Sequence, residues 1–216
     1  PTDPDDIGAI EAAYAAMAVA AGINVAPYRL LPSKIGPGHF ASRRFDRDAS
    51  GPLHLHSLAG VLEADPDGAS VSYREYLRVT QFLTRDVRMV EAAFRRMVFN
   101  VAAHNRDDHA RNHAFLMNAA GQWNLSPAFD LTFAPGPGGE HYLAVAGEGR
   151  AITKEHMIAE GRAAGLPLKF LKACIEEVKS AVADWPKFAS AAGIEAARIS
   201  EIQRAIKISS EAYSAI

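Results

Sequence analysis

Apolar side chains recur every three or four positions in "DDIGAIEAAYAAMAVAAG", with Ile7, Ile10, Tyr14 and Met17 on one helical face. Acidic residues crowd its start, where the helix dipole favours them, and Gly22 stands where a left-handed residue would close the helix. The pattern then changes. "INVAPYRLL" and "GHFASRRF" read as two strands joined by "PSKIGPG", a hairpin connection, and Pro27 argues for an edge or irregular first strand. From residue 57 onward helices dominate. "SYREYLRVTQFLT" carries a capping box, Ser72 with Glu75 three residues on. "DVRMVEAAFRRMVFNVAA" follows, with Val87, Val90, Phe94, Met97 and Val101 on a common face and "FRRMVF" supplying the wet side of a buried helix.

Beyond a polar cluster, "HAFLMN" and "QWNLSPAF" flank the turn "AAG" and predict a small hairpin. "APGPGGE" is a glycine- and proline-rich loop, and "HYLAVAG" predicts one more strand. Helices resume with Thr153 as N-cap and pause at Gly165, with Pro167 just beyond. Two or three more complete the chain, including "IEAARISEIQRAIKISSEAY". Neither an internal repeat nor a low-complexity tract interrupts this order.

Composition narrows the picture only modestly. The 216 residues suit one domain or two small ones, and 49% apolar with 22% charged residues is ordinary for a globular protein. A net charge of -2 exerts no global pull on nucleic acid or anionic membrane. The single cysteine, Cys174, excludes an internal disulfide, fits a reducing cytosol and reads as a buried structural thiol. No apolar run approaches the ~18 residues that a membrane span needs, and no signal peptide opens the chain. It begins "PTDPDD" without methionine, which leaves room for residues upstream.

The chemistry concentrates in "HNRDDHARNHAF", residues 104–115. Three readings compete there. His109 and His113 are four apart, a spacing that can hold zinc on a helix, and with His104 and Asp108 they would make a metal-dependent phosphohydrolase. The general-base Glu of H-E-x-x-H is missing, however. A plain polar turn is the second reading, since Asp, Asn and His accumulate in turns. The third is phosphoryl transfer. Asp107 and Asn112 have the Asp-x-x-x-x-Asn spacing of a kinase catalytic loop, Arg106 precedes the Asp, and "SPAFDL" supplies Asp130 past the hairpin. A kinase needs two oxygen ligands converging on magnesium while a separate carboxylate faces the incoming hydroxyl.

"FNVAAHNRDDHARNHAFLM" followed by "GQWNLSPAFDLTF" resembles the C-terminal catalytic region of the HipA family of bacterial serine/threonine kinase toxins. "HFASRRFDR" with "LHLHSLAGVL" is similar to that family's hinge segment and its continuation. "GEHYLAVAGEGRAITKEHM" resembles the stretch after the metal aspartate. Together with the element order, the resemblance implies an α+β, mainly α fold: a protein-kinase-like large helical lobe with small antiparallel β-hairpins and a truncated N-terminal lobe. Residues 1–50 would be a helix plus hairpin remnant of the small lobe and hinge, and 51–216 the helical catalytic lobe.

The resemblance further implies ATP and Mg2+ as cofactors, with Asp107 as catalytic base and Asn112 and Asp130 as magnesium ligands. His109 would lie near the phosphates, unless it only braces the loop. Phe45 and Asp46 match nucleotide-contacting hinge positions, Asp46 at the ribose, unless a salt bridge with Arg44 or Arg47 occupies it. Arg43 stands where many relatives have Glu, which weakens its side-chain assignment more than the ATP assignment. The implied partners are a helix-turn-helix, HipB-like antitoxin and a protein substrate with Ser or Thr, with DNA met only through the antitoxin and no membrane.

One part of a kinase is not visible. A strand lysine on the α- and β-phosphates and a loop covering them should precede the first helix. Lys34 is the only lysine in the first 150 residues and reads as a turn residue. "GPG" at 36–38 is likewise a turn, with no helix N-terminus after it. Glu11 is either the helix partner of that lysine or a solvated Glu. The chain is therefore expected to be an incomplete catalytic unit, with a non-catalytic module that binds antitoxin or nucleotide as the alternative.

Overall fold

The computed structural model describes residues 4–49, 51–64 and 71–211. Eight α-helices among them form the body: α1 Ile7–Ala20, α2 Leu58–Val61, α3 Tyr73–Thr84, α4 Val87–Ala102, α5 Lys154–Ala163, α6 Leu168–Ala183, α7 Trp185–Ala191 and α8 Ala196–Glu211. The strands are short and antiparallel. β1 (Tyr28–Leu31) pairs with β2 (His39–Ser42), β3 (Arg47–Asp48) with β4 (Gly51–Pro52), and β5 (His54–Ser57), β6 (Ala114–Met117) and β7 (Trp123–Leu125) form a three-stranded sheet with β6 in the centre. The fold is mainly α with small sheets, as the residue pattern and the family resemblance predict.

The α1 helix is buried along most of its length, with Val19 and Ala20 exposed at its end. Beside Ile10, Tyr14 and Met17, the alanines at 9, 12, 13, 15 and 18 are buried too, because small side chains let neighbours approach every face. It packs on α6, α7, β1 and β2, so its contacts run to both sides of residue 50. Tyr14 is completely buried, its ring edge-on to Phe99 and Trp185 and its hydroxyl donating to the Ala103 carbonyl at 2.6 Å. Gly22, at φ 76°, occupies the left-handed region that a side chain would disfavour and turns the chain toward β1. Lys34 lies in the β1–β2 connection.

The predicted capping box is present: Ser72 Oγ accepts from the Glu75 N–H while Glu75 accepts from the Ser72 N–H at 2.6 Å. Thr153 caps α5 in the same way, with His156 as the reciprocal partner. In α4, Val90, Phe94, Met97 and Val101 are buried against α3 and α6, whereas Val87 is exposed at the first turn. Cys174 is buried and free, and burial pushes its thiol up to about 11.

Two expectations change. The arginines of "FRRMVF" do not form a wet face: Arg96 is buried and donates to the Ser126 carbonyl, and Arg95 reaches Glu177 at 2.8 Å and the Ala21 carbonyl at 3.1 Å. "HYLAVAG" is not a strand, and forms only isolated bridges, Ser72 with Ala144 and Val145 with Glu148. The strand β5 was not anticipated, but it ends at Ser57 and α2 follows from Leu58, where the helical part of the chain was expected to begin. The last helix reaches Glu211, and positions 212 and 213 of its expected span lie outside the described residues. No helix among the described residues is long and apolar enough to cross a membrane.

Candidate active site

The polar cluster begins where α4 stops. His104 takes φ 55°, a left-handed turn that reverses the chain, and Asn105 closes back onto the helix through its N–H to the Asn100 carbonyl at 2.9 Å. A ladder of two bonds then ties this turn to the segment after Asp130: Ala134 N–H to the His104 carbonyl and Arg106 N–H to the Ala134 carbonyl, both 3.2 Å. A 3-10 turn, Ala110–Asn112, delivers the chain into β6. The catalytic-loop candidate is thus held between a buried helix and a sheet.

Asp107 and Asn112 meet across this loop. The Asn112 side-chain N–H donates to the Asp107 carbonyl at 3.0 Å, which leaves the amide oxygen as the group available to a cation. Asp107 itself is half-exposed. Burial lifts its pKa above the ordinary carboxylate value; the charges of Asp130 and Asp108 add to that, and those of His109 and Arg111 oppose it.

Asp130 arrives from the other side. After β7, Ser126 N–H bonds the Ala114 carbonyl and Ala128 N–H bonds the Asn24 carbonyl, so the segment runs between the sheet and the chain leaving α1. Asp130 ends this run exposed, at φ 56°, a left-handed conformation that Asp tolerates better than most residues. The charge of Asp130 acts on Asp107, whose carbonyl holds the Asn112 amide, so the two carboxylates are neighbours and the amide oxygen belongs to the same loop. Such a hard-oxygen set with crowded negative charge fits magnesium.

The three histidines do not converge. His104 stacks on Phe133 and its Nδ1 meets Ser209 Oγ at 2.8 Å; burial drives its pKa down to about 4. His113 is buried between Tyr73 and Tyr76 and is lowered by burial to about 4 as well. Only His109 stays at the site: its Nε2 is 3.8 Å from the Asp107 carboxylate, its ring meets Tyr142 edge-on, and its buried Nδ1 has no hydrogen-bond partner. Among the described residues no three His, Cys, Asp or Glu side chains form a metal-ligating group, so the geometry gives no support to a histidine-bound zinc.

In the 43–48 segment, Phe45 packs on Phe129 with ring centroids 5.4 Å apart, which brings it beside Asp130. The Asp46 carboxylate is taken by the Arg44 fork, with Nε at 2.8 Å, and by Arg47 at 3.8 Å. The Arg44 hydrogen bond holds the Asp46 pKa below the usual range. Arg43 is exposed and only its backbone is anchored, to the Pro27 carbonyl at 2.8 Å. Beside Asp130 a cleft of about 90 Å³ opens between α1, β2 and the 128–131 segment, lined by Glu11, Val25, Phe40, Phe129, Asp130 and Leu131 among others.

Comparison with known proteins decides the family. The HipA-like C-terminal domain model matches residues 2–185. The chain belongs to the HipA-like C-terminal domain family. A Sinorhizobium fredii protein, Y4dM, provisionally named a kinase, is 33% identical over 106 residues, which cover 47% of this HipA-like chain and 26% of Y4dM. Among solved structures, a chain from the Shewanella oneidensis complex of HipA, HipB and operator DNA has a TM-score of 0.76 at 17% identity, covering 96% of this chain and 56% of that one. The Helicobacter pylori proinflammatory kinase CtkA has a TM-score of 0.53 at 12% identity, with 89% and 86% covered. The HipA-like chain thus spans about half of the solved HipA chain and about a quarter of Y4dM, and shares its fold with both solved proteins.

Several residues that shape the site were not given that role by the sequence reading, which took Asp108 only as a metal ligand beside the histidines. Asp108 is buried to 1% exposure and accepts from the Tyr73 hydroxyl at 2.6 Å, from His141 Nδ1 at 2.9 Å and from the Tyr142 N–H at 2.9 Å. Burial alone would raise its pKa, but His141, Tyr73 and His113 together outweigh it and lower the pKa. Asn100 donates to the Tyr73 hydroxyl and accepts from Asn105, both at 3.0 Å, which extends the network along the loop. The one signal in the sequence was polar Asn100 on the buried helix.

Proposed function

We propose that this HipA-like chain carries the catalytic lobe of a protein serine/threonine kinase acting as the toxin of a toxin–antitoxin pair. The observation that carries it is the Asn112–Asp107 hydrogen bond on a kinase-like fold, with the Asp130 charge acting on Asp107 and the Asp107 pKa raised in the direction that suits a proton acceptor. In this reading the Asp107 carboxylate takes the proton of a Ser or Thr hydroxyl. The hydroxyl oxygen then bonds to the γ-phosphorus of ATP, the bond to the β–γ bridging oxygen breaks, and ADP leaves. Asn112 and Asp130 would hold magnesium, which when bound neutralises phosphate charge. His109 would meet the phosphates, and the nucleotide would lie toward the cleft beside Phe129 and Asp130. A helix-turn-helix antitoxin as partner, with DNA met through it, is supported by the HipA, HipB and operator DNA complex that shares the fold.

Asp130→Asn tests the reading. In a chain extended upstream along its own gene, transfer from labelled Mg-ATP to a protein hydroxyl is expected to be abolished, because a magnesium ligand is lost. Full activity in that variant sinks the assignment. The 216-residue chain assayed alongside shows whether the phosphate-gripping elements lie within it.

A further inference from the structure

Asp107 is flanked by two side chains that leave the loop and seize the same neighbouring segment. Arg106 donates through its guanidinium to the Gly139 carbonyl. Asp108 accepts from the Tyr142 N–H and from His141. The two anchors lie within four residues of the segment, and they enclose the peptide unit of the base. We propose that Arg106 and Asp108 clamp residues 136–142 and thereby fix where Asp107 points; both are positioning residues, and the inference rests on Asp107 being the base.

The segment is shaped for this clamp. Gly136 has φ 72°, and a Cβ there would lie 2.1 Å from the Glu140 carbonyl oxygen and 2.7 Å from the Cβ of Arg106. Any side chain at 136 must therefore push the segment away from Arg106. Farther along, Ala146 N–H bonds Glu160 Oε1 at 2.6 Å, and Glu160 is buried and paired with Arg74 at 2.6 Å. The 136–146 stretch is thus pinned to the loop and to α5, and Glu160 in turn to α3. Kinases commonly order the corresponding loop by adding a phosphate that pairs with arginine. Here a backbone carbonyl occupies Arg106, and the stretch from 131 to 150 has hydroxyls only at Thr132 and Tyr142. The clamp is built in.

Gly136→Ala attacks it without touching the buried core. Hydrogen exchange on the 216-residue chain is expected to accelerate about tenfold or more at 139–142 and, in parallel, at 105–112, while α3 keeps its protection. With the upstream-extended chain, Mg-ATP and dephosphorylated casein as hydroxyl-bearing acceptor, kcat falls roughly tenfold to hundredfold and the KM for ATP changes less than about twofold. Arg106→Lys, which keeps a cation within reach, lies between wild type and Arg106→Ala. Acceleration confined to 139–142, exchange unchanged in both segments, or an unchanged kcat each overturns the clamp. Wild-type protein that transfers no phosphoryl group defeats the kinase reading instead, and the exchange coupling then decides the clamp alone.

Discussion

Two turns of this chain are built from the same residue types and do opposite work. The loop at 104–113 and the segment at 43–48 each join arginine to aspartate beside an aromatic ring. In the first, Asp108 is sealed in the core and surrounded by three donors. In the second, Arg44 and Asp46 pair at the surface, with side chains 65% and 22% exposed. A carboxylate cut off from water must be matched by protein donors, and once matched it fastens elements together. A carboxylate that water can reach gains little from its partner and stays available to a ligand. Asp107 and Asp108 repeat the contrast at adjacent positions, their pKa values displaced in opposite directions by what each faces.

The largest expected effect separates those neighbours. Asp107→Asn removes the proton acceptor and is expected to lower the transfer rate about a thousandfold, with melting temperature unchanged or slightly raised, since ionising Asp107 is unfavourable in the fold. Asp108→Ala is expected to cost about 3–5 kcal/mol of stability, because it strands His141, Tyr73 and the Tyr142 N–H without an acceptor. Denaturant titration of both variants checks this. Equal stability losses would erase the distinction between a working and a fastening aspartate.

Acid sharpens the same contrast. His113 is neutral in the fold down to about pH 4, whereas in the unfolded chain it protonates near 6.5. Between those values the unfolded state binds the extra proton, so stability falls as pH drops, by roughly 3 kcal/mol for this one residue. His104 works in the same direction, and Asp107, with its raised pKa, opposes both in the lower part of the window. Unfolding midpoints measured from pH 7 to 4 should therefore decline, and His113→Phe should flatten part of the slope. A slope unchanged by that substitution would remove His113 as its source.

Where the physics is local, the sequence was readable. The capping box at Ser72, the Thr153 cap, the α4 stripe and the β6–β7 hairpin each depend on residues a few positions apart. The spacing of Asp107, Asn112 and Asp130 was legible for the same reason, since one loop and one hairpin set it. What escaped depends on distant partners. The strand β5 has no apolar alternation in "HLHS" and exists because β6 lies alongside it. "HYLAVAG" has the residue types of a strand, but the N–H groups of Tyr142 and Ala146 go to the carboxylates of Asp108 and Glu160 instead of a ladder. Arg96 looked solvated until the Ser126 carbonyl came across to meet it. Nothing in two successive aspartates tells which one turns inward.

The smallest effect concerns the exposed pair. Asp46 is held by Arg44, yet the fork is at the surface, where water can replace either partner. Asp46→Ala is therefore expected to leave the melting temperature essentially unchanged. If the carboxylate also reaches a ribose, as the family resemblance implies, the variant should bind ATP several-fold more weakly, since a charged hydrogen bond is lost. The decisive measurement is the comparison with 2′-deoxy-ATP. Wild type should prefer ATP over the deoxy form, and Asp46→Ala should lose that preference while keeping its fold. An undiminished preference in the variant would leave Asp46 as half of a surface ion pair and nothing more, and Phe45, packed on Phe129 beside Asp130, would then carry the segment's link to the site.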